Sequence, residues 1–143
     1  MIKTMHQTGF AVKDIDKSLA FYRDIVGLQV IDRFQRVGDA IDQVVGYQSA
    51  KLEICTLKAD GDHILELIEY VTPPSAPWPT EERSVLGGTH LCMSVSDIDE
   101  TFKKITSNDS IKMNPPAGLV KRRKACYLQN PDHNWIELLE LAT

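Results

Sequence analysis

The chain repeats itself, and that repeat limits its fold more than any other feature. Gln7-Thr8-Gly9-Phe10-Ala11-Val12-Lys13-Asp14-Ile15-Asp16 matches His90-Leu91-Cys92-Met93-Ser94-Val95-Ser96-Asp97-Ile98-Asp99 at Val, Asp, Ile and Asp, a constant offset of 90 − 7 = 83, with Phe10 and Met93 also in phase. A second pair, Ile64-Leu65-Glu66-Leu67-Ile68-Glu69 and Trp135-Ile136-Glu137-Leu138-Leu139-Glu140, is offset by 137 − 66 = 71. The halves share their beginnings and their ends. The difference, 83 − 71 = 12 residues, falls in the middle, where the first half makes a longer excursion around Arg36 to Ala50. Self-similarity of this kind marks each half as one supersecondary unit.

Each half reads as a strand, a helix and several strands. Asp14 and Asp97 are N-caps, and Ile15, Leu19, Tyr22 and Val26 recur at helical spacing until Gly27 stops the first helix. Ile98, Phe102 and Ile105 do the same in the second half, which turns at Ser107-Asn108-Asp109. Val30 to Phe34, Ala50 to Leu57, Ile64 to Tyr70, Lys124 to Leu128 and Asn134 to Leu141 read as strands. The expected fold is α+β: two β-α-β-β-β modules, about 1–71 and about 89–143, pairing into an open, curved, barrel-like sheet of about eight strands. Between them, at about 72–88, runs a connector that opens with Thr72-Pro73-Pro74-Ser75-Ala76-Pro77-Trp78-Pro79, which continues neither strand nor helix.

Length and charge narrow the function. With 143 residues, one domain built of two fused half-size units is expected. Sixteen Lys+Arg against twenty Asp+Glu leave a net charge of −4, which repels phosphate backbones, so nucleic acid is not an expected partner. No run of about 20 apolar residues is present to span a bilayer. Met-Ile-Lys-Thr-Met-His-Gln is not followed by the apolar stretch of a signal peptide, so a cytoplasmic location is expected. Cys55, Cys92 and Cys126 are odd in number and lack a Cys-x-x-Cys spacing, which predicts reduced, mostly buried thiols.

The repeat selects four polar residues. Gln7 and His90 stand seven places before the two capping aspartates, and Glu66 and Glu137 occupy the closing strands. Two carboxylates, an imidazole and an amide oxygen offset the charge of a divalent ion, and N and O donors suit Zn, Ni, Co, Mn or Fe rather than soft copper. An open position on such an ion would accept water or a chelating substrate. Taken alone, a Glu within Leu-Glu-Leu is more often the solvent face of a half-buried strand. Glu69 and Glu140, an odd number of residues from Glu66 and Glu137, are given that plain surface role.

Five segments carry a family resemblance: Gln7 to Asp14, Ser18 to Leu28, Leu65-Glu66-Leu67, His90 to Asp97, and Asn130-Pro131-Asp132-His133-Asn134-Trp135-Ile136-Glu137. Together they resemble the glyoxalase I group of the glyoxalase I, bleomycin resistance and extradiol dioxygenase family, the vicinal oxygen chelate superfamily. The resemblance implies a divalent metal held by Gln7, Glu66, His90 and Glu137, with His6 as the alternate to Gln7. It implies a lyase or isomerase acting on a small carbonyl substrate chelated through adjacent oxygens, with glutathione as a candidate co-substrate and a homodimer as a candidate assembly. Glu137, with Glu66 as its counterpart, would be the carboxylate that moves a proton between neighbouring carbons. A methylmalonyl-CoA epimerase-like activity, or metal-free drug binding of the bleomycin-resistance kind, are the alternatives. A dioxygenase would need two His, and His90 stands alone unless His6 replaces Gln7.

Two departures from the family pattern stand out. Relatives often carry two His before the Thr-Gly pair, where this chain has His6-Gln7, and a one-residue slip presenting His6 would turn Phe10 and Val12 to the cleft. The closing turn has His133 where Gly is usual, which predicts a positive φ on a surface His. Lys121-Arg122-Arg123-Lys124 is the single basic run. It reads as a solvated edge, with Arg122, Arg123 or Lys124 as candidates to hold an anionic substrate group. Phe10, Phe21, Tyr22, Met93 and Trp135 are assigned to the core, and Trp78 to a cleft or contact surface.

Overall fold

The structure, a computed structural model, describes residues 1–107, 114–119 and 123–141. The chain divides into two compact units, Met1–Pro77 and Trp78–Thr143. Each carries a four-stranded mixed sheet, and neither sheet closes on itself.

In the first unit, strand β1 (Gln7–Val12) leads to helix α1 (Ile15–Leu19), which runs on as a π-helical stretch over Ala20–Val26. Strand β2 (Gln29–Val37), helix α2 (Asp39–Val45), β3 (Lys51–Lys58) and β4 (Ile64–Thr72) follow. The order is β1-β4-β3-β2, with β1 parallel to β4 and the other pairs antiparallel. The second unit repeats the plan: β5 (His90–Val95), α3 (Ile98–Thr106), β6 (Ala117–Leu119), β7 (Arg123–Gln129) and β8 (Trp135–Glu140), ordered β5-β8-β7-β6 with β5 parallel to β8.

Side-chain alternation gives each sheet two different faces. Phe10, Val12, Leu65 and Leu67 point toward α1 and are buried with Ile15, Leu19, Phe21 and Tyr22. Each fully buried large apolar side chain contributes on the order of 1.5–3 kcal/mol. In the second unit Ile136, Leu138 and Leu128 are buried with Ile98 and Ile105 of α3. Glu66 and Glu137, of the opposite parity, therefore fall on the face away from the helices.

Both helix starts are capped as expected. Asp14 accepts from the N–H groups of Asp16 and Lys17, and Asp97 from that of Glu100. Gly27 ends the first helical run at φ 95°, with its N–H on the Tyr22 carbonyl.

The excursion in the first half is more ordered than the sequence suggested. Strand β2 reaches Val37, and α2 follows over seven residues with no fully buried residue and no side-chain cap, so no capping residue marks its start in the sequence. Asp42 holds its far end by accepting from the Ser49 and Ala50 N–H groups at 2.7 Å each. Among the described residues no helix is long and apolar enough to cross a membrane.

Candidate functional site

The four residues selected by the repeat fall into two pairs, one in each unit. In the first, parallel pairing of β1 with β4 sets Gly9 opposite Glu66 and brings Gln7 onto the same face. Gln7 Nε2 donates to Glu66 Oε2 over 2.5 Å, and Gln7 Oε1 faces His6 Nδ1 at 3.0 Å. The strand is not slipped: Phe10 and Val12 are 8% and 1% exposed, and His6 precedes β1 as a neighbour of Gln7. The amide turns its NH2 to Glu66, whereas ligation would need the opposite orientation. Glu66 is half-buried, and burial pushes its carboxyl above the ordinary glutamate range against the opposing charges of His6 and Arg36.

In the second unit His90 Nε2 lies 3.3 Å from Glu137 Oε2 on the neighbouring parallel strand. Glu137 has Cys92 beside it on β5 and Tyr127 beside it on β7. The Tyr127 hydroxyl is 3.4 Å from His90 Nε2, and the two rings meet edge to face at 5.2 Å. Desolvation, then the Glu137 charge, pushes the Cys92 thiol up to about 11, and the same two causes raise the Tyr127 hydroxyl. Cys92 is exposed rather than buried, because alternation along β5 turns it with His90 away from α3.

In type, the donors of each pair suit a hard or borderline divalent ion: an amide and a carboxylate in the first unit, an imidazole and a carboxylate in the second. Within either unit taken alone, the described residues bring no three His, Cys, Asp or Glu side chains together as a metal cluster.

The sequence profile of the Glyoxalase/Bleomycin resistance protein/Dioxygenase superfamily matches residues 4–138. The chain belongs to this superfamily. An uncharacterised Escherichia coli K12 protein, YaeR, is 27% identical over 143 residues, covering 97% of each chain. A Schizosaccharomyces pombe lactoylglutathione lyase is 26% identical over 94% of this chain but only 46% of its own length. Among solved structures, a glyoxalase family protein from Bacillus cereus superposes with a TM-score of 0.88 at 24% identity, covering 98% of this chain and 95% of that one. Lactoylglutathione lyase from Agrobacterium tumefaciens gives 0.63 at 19% identity over 97% and 94%. At these identities the structural likeness establishes the glyoxalase-like fold.

Other residues of this glyoxalase-superfamily chain meet expectation in part. Of the basic run, Lys121 and Arg122 lie outside the described residues. Lys124 Nζ is 2.5 Å from Asp99 Oδ2 of α3, so it serves the helix-bearing face, while Arg123 is exposed on the other. Glu69 and Glu140, expected as plain surface residues, are half-buried beneath the helix starts, where they accept the Ile15 and Ile98 N–H groups at 2.8 and 2.7 Å. His133 has the expected positive φ, 66°, with Nδ1 3.4 Å from Glu81 Oε1. His63 reaches Thr8 Oγ1 at 2.9 Å.

Trp135 is half-buried rather than core, with its indole N–H on the Glu81 carbonyl at 3.0 Å. Arg83 lies over the Trp135 ring at 4.4 Å and the Tyr127 ring at 4.9 Å. These residues, with Ser84, Thr89 and His90, line a cavity of about 340 Å³. Sequence reading missed Arg83 and Tyr127. Neither belongs to the repeat, and a lone Arg in a connector carries no spacing signal.

Proposed function

We propose that the protein is a divalent-metal-dependent lyase or isomerase of the glyoxalase I type, acting on a small carbonyl compound that presents adjacent oxygens. The observation that carries this reading is the pairing itself. Repeat-equivalent strands set Gln7 against Glu66 and His90 against Glu137, each pair on the face away from its helix. Two such pairs would supply the four donors of one ion, within one chain or across a pair of chains.

A divalent ion held by Gln7, Glu66, His90 and Glu137 would polarise a substrate carbonyl and acidify the adjacent C–H. The chain's own residues would do the rest. Glu137 Oε2 would take the proton from one carbon and return it to its neighbour. Tyr127 and Cys92, on either side, would restrict how Glu137 swings between those carbons. Trp135 and Tyr127 would screen the reacting atoms from water.

Elemental analysis of the purified protein, followed by assays with the methylglyoxal–glutathione hemithioacetal and with methylmalonyl-CoA, tests the reading. Stoichiometric divalent metal is expected, with Glu137→Gln lowering turnover by on the order of 10²–10⁴. Turnover of the hemithioacetal would bring in glutathione as co-substrate, and turnover of the CoA ester would make the protein an epimerase. Absence of bound metal, or a fully active Glu137→Gln variant, would overturn the metal mechanism and leave ligand sequestration by the same fold.

A further inference from the structure

We infer that the cavity bounded by Arg83, Ser84, Thr89, His90, Tyr127 and Trp135 is an anion subsite that holds the carboxylate or phosphate end of a small organic substrate. It lies wholly within the second unit, and its volume of about 340 Å³ is at the small end of ligand sites.

Three observations carry the inference. Among the described residues that line the cavity, Arg83 alone carries a fixed charge and none is a carboxylate. Among the described residues its guanidinium has aromatic rings against its face and no carboxylate partner. A guanidinium so stacked keeps its edge N–H donors for a planar anion and loses little freedom on binding. The platform is itself held: Trp135 is tied to the Glu81 carbonyl, and Tyr127 and Trp135 meet edge to face at 6.5 Å.

The loop that presents Arg83 is also tightly built. A Cβ on Gly88 would come within 2.7 Å of the Arg83 carbonyl oxygen and 2.9 Å of that of Val85, whose oxygen accepts the Gly88 N–H. The loop therefore closes in a way that only glycine allows at this position. Ser84 and Thr89 add hydroxyl donors at the wall. The proposed catalytic reading enters only in placing the reacting end of the same molecule at His90, next to Glu137.

The test uses the full chain, dialysed against EDTA, in a Trp78→Phe background so that Trp135 is the fluorescent reporter. The probes are 2-oxoglutarate against its dimethyl ester, and glycerol 3-phosphate against glycerol. We expect saturable fluorescence changes with at least one anion and not with its uncharged counterpart. Arg83→Gln should weaken that binding by about tenfold to a hundredfold, the effect of losing a charged hydrogen bond, with Arg83→Lys in between. Preference for 2-oxoglutarate would identify a carboxylate end, and preference for glycerol 3-phosphate a phosphate end.

Equal binding by wild type and Arg83→Gln, equal binding of charged and uncharged probes, or loss on Arg123→Gln in place of Arg83→Gln would overturn the inference. Because the titration is done without metal, a protein that fails elemental analysis but passes here loses only the metal mechanism. One that binds metal and fails here loses only the subsite.

Discussion

Glu140 Oε2 accepts the backbone N–H of Ile98 over 2.7 Å, tying the last strand of the second unit to the first turn of α3. Glu69 does the same for Ile15 in the first unit, over 2.8 Å. Each helix therefore has two acidic acceptors at its start, one from its own cap and one from the closing strand. The negative charge also complements the positive end of the helix.

Replacing either strand carboxylate should unmoor its helix. Glu140→Ala and Glu69→Ala are each expected to lower stability by about 1–3 kcal/mol, since a half-buried N–H loses its acceptor. Glu→Gln, which keeps an acceptor oxygen, should cost less. Urea unfolding followed by circular dichroism checks this, and an Ala variant as stable as wild type would remove these bonds from the account of the fold.

Metal affinity should depend on both units. Gln7→Ala and His90→Ala are each expected to weaken metal binding by at least on the order of a hundredfold, since even partners behind the ligands are worth 10–100-fold. Competition against a chelating dye measures it. If only the second-unit variant matters, Gln7 is no ligand.

The thiols should be sluggish near neutral pH. Burial pushes Cys126 up to about 11, above the ordinary value of 9.0. Its thiolate at pH 8 is then on the order of one part in a thousand, and alkylation should accelerate about tenfold per pH unit up to about pH 10. The unfolded chain releases this proton first, so the folded state binds more protons between pH 9.0 and about 11, and this group's contribution falls as pH rises through that window. Urea midpoints at pH 8 and pH 10.5, compared with those of a Cys126→Ala variant, isolate the effect.

Gly88→Ala should disturb the Arg83 loop while leaving the sheets alone. A methyl group there meets two backbone carbonyl oxygens inside 3.0 Å, so the loop must shift. Gly118→Ala, with nothing within 4 Å, is the contrasting change. Changed Trp135 emission in the first variant, with little change in the urea midpoint of either, is the expected outcome.

Much of this was legible in one dimension. The caps at Asp14 and Asp97, the stop at Gly27, the closing strands and the positive φ of His133 all follow from local rules that a residue obeys wherever it sits. Helix α2 was not legible, because it is seven residues long, has no side-chain cap and fully buries none of its residues. Glu69 and Glu140 were read by parity as pointing away from Glu66 and Glu137, which they do. What parity could not say is that a helix N-terminus waits on that side.

From sequence alone came the duplication, the parity that divides each strand between a helix-covered face and its opposite, and hence the two residue pairs. Local periodicity and a repeat are enough for that. Tertiary structure decided which distant groups meet: Lys124 with Asp99, Glu140 with Ile98, Arg83 with the rings of Tyr127 and Trp135. Those contacts depend on how a loop crosses a sheet edge and on which side a helix packs, and neither leaves a periodic trace in the order of the residues.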